Sequence, residues 1–174
     1  MCHGDSVTLY IEGHASSGYA TVTSFSEENV TVFKGKSSEA PPSFERSCVF
    51  RVLSLDNGAE LGTPIRFGST ITLTHNLTQK MIAKKSGDSG QQSHRVFLKP
   101  VVSTDGNEDP PEQCWFRPMP RIKLYSEGDP IKFDSQVLIE SAHGIGSRYV
   151  KDSSKIGHRF TTATLVVHDH GCSV

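Results

Sequence analysis

Two glycine-containing segments could carry chemistry in this sequence. Gly87-Asp88-Ser89-Gly90 has a form that can hold a nucleophilic serine, but such a serine also needs a paired His, a buried Asp and an oxyanion hole. The segment lies in a polar stretch, so we predict a loop without catalytic function. Gly144-Ile145-Gly146 offers a phosphate-binding pattern, but phosphate loops of this type lead from a strand into a helix. No helical pattern follows, so we predict a turn between two strands.

Side chains of the types that bind metals occur at both ends of the chain. Cys2 and His3 stand at the amino terminus, and four further candidates stand at the carboxy terminus, His168, Asp169, His170 and Cys172. Thiolate and imidazole groups are ligands that zinc prefers, and a closed barrel would bring its first and last strands together. The spacing matches no zinc signature. We therefore predict no metal and no other cofactor, with a zinc site as the alternative.

The charged residues argue for one class of partner and against another. The chain has 18 Lys and Arg residues and 19 Asp and Glu residues, for a formal net charge of −1. Near-neutrality removes the main electrostatic reason to expect nucleic-acid binding. We predict an interaction patch from five positive residues in the middle of the chain, Lys80, Lys84, Lys85, Arg95 and Lys99. This patch suits an acidic protein surface, because charge steers association; the alternative is a solvated loop face.

The elements that would position these residues are predicted to be strands. Val, Ile and Thr number 36, against 20 for Leu, Ala and Met, and β-branched side chains favour strands over helices. Apolar residues alternate with polar ones over Val7–Ile11, Ala20–Thr23, Val30–Val32 and Ile71–Thr74. A period of two is typical of half-buried strands, with one face on a core and the other in water.

The sequence also contains an internal repeat. Gly4–Leu9 resembles Gly68–Leu73, and both resemble Asp134–Ile139, so that the three copies follow one another at nearly equal spacing. A second element, Cys48–Arg51, recurs in step with them as Cys114–Arg117. The repeat therefore predicts three structural units within one fold.

Three units of about four short strands predict an all-β fold of the β-trefoil type, with a six-stranded barrel and a cap of hairpins. We predict a single domain over residues 1–174, with repeats at approximately 4–62, 63–128 and 129–170. Cys48 and Cys114 recur at equivalent positions, and we predict that they are reduced thiols buried in the core.

Five segments resemble the amino-terminal domain of the inositol trisphosphate and ryanodine receptors. They are His3–Gly13 with Gly18–Thr21, Ser47–Val52, Leu61–Gly68, Gln113–Phe116 and Ile122–Pro130. The resemblance covers about residues 3–167. It implies a β-trefoil without catalytic residues that acts as a suppressor module through protein contacts. The inositol phosphate pocket of those receptors lies in the following domains, so we expect no inositol phosphate binding by this domain alone.

A looser similarity links Cys114–Ser141 to cilia- and flagella-associated proteins that line the inside of doublet microtubules. Two functions are therefore open. The first is a non-enzymatic structural scaffold in a large cytosolic assembly, with tubulin or axonemal proteins as partners. The alternative is a regulatory suppressor domain of an intracellular calcium-release channel, at the cytosolic face of the endoplasmic reticulum and in contact with neighbouring channel domains. The sequence has no signal peptide and no apolar run of about 18 residues, so we predict a cytoplasmic protein without membrane insertion.

Overall fold

The computed structural model of the chain contains strands and two short 3₁₀ turns in the part that it describes. The described residues are 1–11, 17–22, 30–34, 45–84, 96–100, 110–132, 135–142 and 163–166. The strands are β1 (Ser6–Ile11), β2 (Gly18–Thr21), β3 (Thr31–Lys34), β4 (Val49–Ser54), β5 (Ile71–His75), β6 (Lys80–Lys84), β7 (Val96–Pro100), β8 (Phe116–Pro120), β9 (Gln136–Ser141) and β10 (Ala163–Val166). The 3₁₀ turns, Glu45–Cys48 and Glu112–Cys114, precede β4 and β8.

Six of these strands close into a barrel. β4 pairs with both β1 and β5, β8 pairs with both β5 and β9, and β10 pairs with both β9 and β1. Every pair is antiparallel, and the ring of pairs returns to its starting strand. The structure therefore confirms the predicted all-β architecture of the β-trefoil type. Closure leaves no unpaired edge among these six strands.

The barrel interior is filled by side chains that occupy matched positions in the sequence repeat. Val7, Ile71 and Val137 stand on β1, β5 and β9 and are almost completely buried in one apolar cluster. Phe50 lies opposite Val7 across one strand pair, and Phe116 lies opposite Ile71 across another. Burial of side chains of this size contributes about 1.5–3 kcal/mol each, so each of these positions stabilises the barrel.

A ring of three backbone hydrogen bonds joins three segments that are far apart in the sequence. The Met1 nitrogen donates to the Ile131 carbonyl oxygen at 2.7 Å, Ile131 N–H donates to Ile65 at 3.0 Å, and Ile65 N–H donates to Met1 at 3.0 Å. All three side chains are buried. Gly4 and Gly68, at equivalent positions, have positive φ angles of +92° and +91°, which glycine adopts without strain.

Two hairpins extend the sheet beyond the barrel. β2 pairs with β1 and with β3, and β6 pairs with β5 and with β7. β3 and β7 are therefore the two ends of the sheet. The corresponding segment of the third repeat lies outside the described residues.

Candidate functional site

The structure divides the predicted lysine patch between two faces of one hairpin. Lys80 and Lys84 lie on β6, two residues before and two residues after Ile82, so the three side chains share one face of the strand. Lys99 lies opposite Met81 across the β6–β7 pair, and opposed residues project to the same side. Lys99 therefore lies on the face opposite to Lys80 and Lys84. Lys85 and Arg95 lie outside the described residues.

Lys99 lies on the side of a small apolar cluster outside the barrel. The cluster consists of Met81, Ala83 and Cys114. Burial raises the pKa of the Cys114 thiol, and the positive charge of Lys99 offsets part of that increase. An equivalent cluster of the first repeat contains Cys48, whose thiol is also fully buried. The predicted burial of both repeat thiols is confirmed.

Differences in burial predict a clear order of thiol reactivity. In the native protein, iodoacetamide is expected to modify Cys2, which is partly exposed, at least about a hundredfold faster than Cys48 or Cys114, because buried thiols react only when the structure opens. Peptide mass spectrometry after timed quenching measures this order. In urea the rates should converge. Equal native rates for Cys2 and Cys114 would contradict the packing around β6.

The candidate metal ligands are only partly described. His3 Nδ1 accepts a hydrogen bond from Ser54 N–H at 3.0 Å, and Cys2 N–H donates to an Asp5 carboxylate oxygen at 2.6 Å. Over the described ranges, no three His, Cys, Asp or Glu side chains form a group that could hold a metal ion. The carboxy-terminal candidates at 168–172 lie outside those ranges, as do the glycine segments 87–90 and 144–146. The zinc site therefore stays a hypothesis.

His75 is a buried titratable group of the barrel wall that the sequence analysis did not single out. It ends β5, and its ring lies 5.3 Å from the ring of Phe50. Its Nδ1 is 2.9 Å from Thr78 Oγ1. Burial lowers the pKa of His75 below the usual 6.5, and the backbone at Ser47 and Arg46 offsets part of this decrease. Neutral His75 is therefore the form that fits the folded state.

This lowered pKa predicts how stability depends on pH. As the pH falls below about 6.5, the unfolded chain binds a proton at His75 before the folded chain does, so the free energy of unfolding decreases. Above that value His75 is neutral in both the folded and the unfolded state, so it does not make the free energy of unfolding depend on pH. Urea midpoints at about pH 7.5 and about pH 5 measure the effect. In His75→Gln the decrease should be smaller than in wild type, since the other histidines are unchanged; an equal decrease would contradict the assignment.

Strand β3 is exposed along its whole length. All four of its residues are exposed, and the apolar side chains of Val32 and Phe33 keep 38% and 39% of their surface accessible. The predicted half-buried strand over Val30–Val32 is confirmed for Val30, which is partly buried against the core, and is wrong for Val32, which is exposed. The physical reason is its position, because β3 lies at the end of the sheet, with β2 as its paired neighbour.

Comparison with known proteins identifies the chain's relatives at the level of a family. A family model described as the inositol 1,4,5-trisphosphate/ryanodine receptor matches residues 54–166, about two thirds of the chain. No curated protein matches it, and the looser similarity to microtubule inner proteins is not shown. Within the described residues, no helix has the length and apolar character needed to cross a membrane.

Proposed function

Because the chain belongs to the inositol 1,4,5-trisphosphate/ryanodine receptor family, we propose that it acts through contacts with other proteins, without catalysis, as a structural subunit of a large cytosolic assembly. The observation that carries this proposal is the filled barrel. Val7, Phe50, Ile71, Phe116 and Val137 occupy its interior and are buried, so the groups available to a partner lie on the outer surface. A rigid filled barrel suits a module that presents surfaces at fixed angles.

Two assemblies are compatible with such a module. Our first candidate is the axonemal doublet microtubule, where Lys80 and Lys84 on one face of the β6–β7 hairpin, and Lys99 on the other, would meet separate acidic surfaces of tubulin or axonemal proteins. The second candidate is the cytosolic crown of an intracellular calcium-release channel, and the family match favours it. There the domain would regulate the channel through neighbouring domains, and we expect no inositol phosphate binding by this domain alone.

Native fractionation with chemical cross-linking tests the proposal. The endogenous protein, detected with an antibody to this domain, should sediment well ahead of the monomer, and its cross-links should join surface lysines such as Lys80 and Lys99 to other proteins. Release from axonemes by high salt would support the scaffold. Recovery with detergent-solubilised membranes, with cross-links to channel domains, would support the regulatory domain.

Two results can contradict the proposal, one from native fractionation and one from calorimetry. A protein that sediments as a monomer under native conditions, and forms no cross-links to other chains, would not be a subunit of an assembly. A purified domain that binds inositol trisphosphate tightly in calorimetry would overturn the expectation that this domain alone lacks the pocket. The matched reference is the same domain unfolded in urea, which should bind nothing.

A further inference from the structure

β3 is an end strand of the described sheet, and its outer edge presents backbone groups that can pair with another chain. Among the described residues, β3 pairs with β2 alone, over Gly18↔Lys34, Tyr19↔Phe33, Ala20↔Val32 and Thr21↔Thr31. An edge strand carries a row of N–H and C=O groups that can pair with a further strand. We propose that an extended acidic segment of a partner protein adds to β3 along this edge. The inference deepens the proposed role in protein contacts and rests on it.

The alternating direction of the backbone along β3 shows which N–H and C=O groups face the outer edge. The Phe33 carbonyl oxygen points at Gly18, so closely that a methyl group on Gly18 would lie 2.6 Å from the Phe33 carbonyl carbon. In an antiparallel pair, residues alternate between bonding to one neighbour and bonding to the other side. Because the Phe33 carbonyl group lies against Gly18 of β2, this alternation directs the N–H and C=O groups of Val32 and Lys34 to the outer edge.

The side chains of β3 define the chemistry of the partner segment. Val32 and Phe33 lie on opposite faces and are both exposed. A strand laid along the edge therefore gains an apolar contact from Phe33 on one face, while Lys34 shares the other face with Val32. Lys34 is exposed, and its cross-strand partner, Gly18, has no side chain. Neither β2 nor β3 contains an acidic residue. A carboxylate on the partner would therefore complement the charge of Lys34.

The other end of the sheet is less suited to this kind of pairing. β7 ends in Pro100, which has no N–H to donate, and proline is a residue that natural proteins use to block sheet edges. β3 contains no proline, and its supporting strand β2 is buried throughout. A strand of four residues is also short for a stable homodimer, which usually buries a much larger surface, whereas short extended peptides commonly bind sheet edges. These features favour a peptide-like segment over a second copy of the chain.

A fluorescent octapeptide of alternating valine and glutamate, compared with one in which lysine replaces glutamate, tests the proposal by anisotropy. The wild-type chain should prefer the glutamate peptide, and the amide resonances of Val32 and Lys34 should shift on binding. Val32→Pro removes an outward N–H and should weaken binding at least about tenfold. Lys34→Glu leaves the backbone intact and should reverse the preference between the two peptides. Val32→Thr, which keeps the N–H and the β-branch, should bind like wild type.

Several results would overturn the proposal. The first is equal affinity of the wild-type chain for the two peptides, and the second is unchanged peptide binding by Val32→Pro. The third is a shift of the Val32 and Lys34 amide resonances when the chain is concentrated without peptide, because that shift would assign the edge to a second copy of the chain. Urea midpoints check that each variant is folded, and Lys34→Glu stays informative if Val32→Pro unfolds. Failure at this edge is distinguishable from failure of the proposed function, because the fractionation experiment detects the native assembly whichever surface holds it.

Discussion

Gly18→Ala is expected to detach β3 from the sheet and to lower the free energy of unfolding by about 3 kcal/mol. A Cβ atom at this position would overlap the Phe33 carbonyl group and would lie 2.9 Å from the Lys34 Cα. Both neighbours are backbone, so no rotamer change relieves the overlap. Hydrogen exchange at the amides of β3 should rise sharply, while exchange in β5 should change little. Urea unfolding and exchange measured by mass spectrometry check both expectations.

Gly58→Ala is the matched control for this prediction. Gly58 has a positive φ of +78°, and no atom lies within 4 Å of the position that a Cβ would take. Its replacement should cost roughly 1 kcal/mol through backbone strain alone, with no change in exchange at β3. Unchanged protection of β3 in Gly18→Ala would show that β2 and β3 do not pair in the register described here.

Phe50→Ala is expected to lower the free energy of unfolding by about 3–5 kcal/mol. The side chain is fully buried and lies in β4, opposite Val7 on one side and His75 on the other. Truncation removes a large apolar surface from the barrel interior and leaves a cavity that β-strands on both sides cannot fill without breaking their pairing. Calorimetry and urea unfolding measure the loss.

Phe33→Ala is the matched control for Phe50→Ala. It removes the same atoms from a strand residue that keeps 39% of its surface exposed, so the cost should stay below about 1 kcal/mol. If the two variants lost similar amounts of stability, Phe50 would not occupy the centre of the barrel, and the packing described for the barrel interior would be wrong.

Much of the barrel could be predicted because its repeats keep their side-chain types. Val7, Ile71 and Val137 stand at matched positions in the sequence and at matched positions on β1, β5 and β9. The first copy of the segment that leads into these strands was harder to recognise. Met1 is structurally equivalent to Ile65, and His3 stands where Phe67 stands in the second copy. Backbone hydrogen bonds define this equivalence, and backbone bonds leave little trace in residue type.

The candidate surfaces were less predictable, because they depend on register and on position in the sheet. Lys84 and Lys99 are close in sequence, but a shift of one residue in strand pairing moves a side chain to the opposite face. No feature of the intervening sequence fixes that register. The alternation in β3 is likewise the same for an edge strand and for an inner strand. The position of the Phe33 carbonyl group against Gly18 of β2 shows that the backbone N–H and C=O groups of Val32 and Lys34 face the outer edge.

The ring of hydrogen bonds through Met1, Ile65 and Ile131 has a consequence for dissecting this protein. Each third of the barrel supplies one link, so no third can satisfy its own link in isolation. A truncated chain limited to residues 54–166, the span of the family match, would lack β1 and nearly all of β4 and should remain an open, aggregation-prone intermediate. Adding a separately expressed peptide covering residues 1–53 should restore the closed barrel, as complementary fragments of a cleaved protein reassemble.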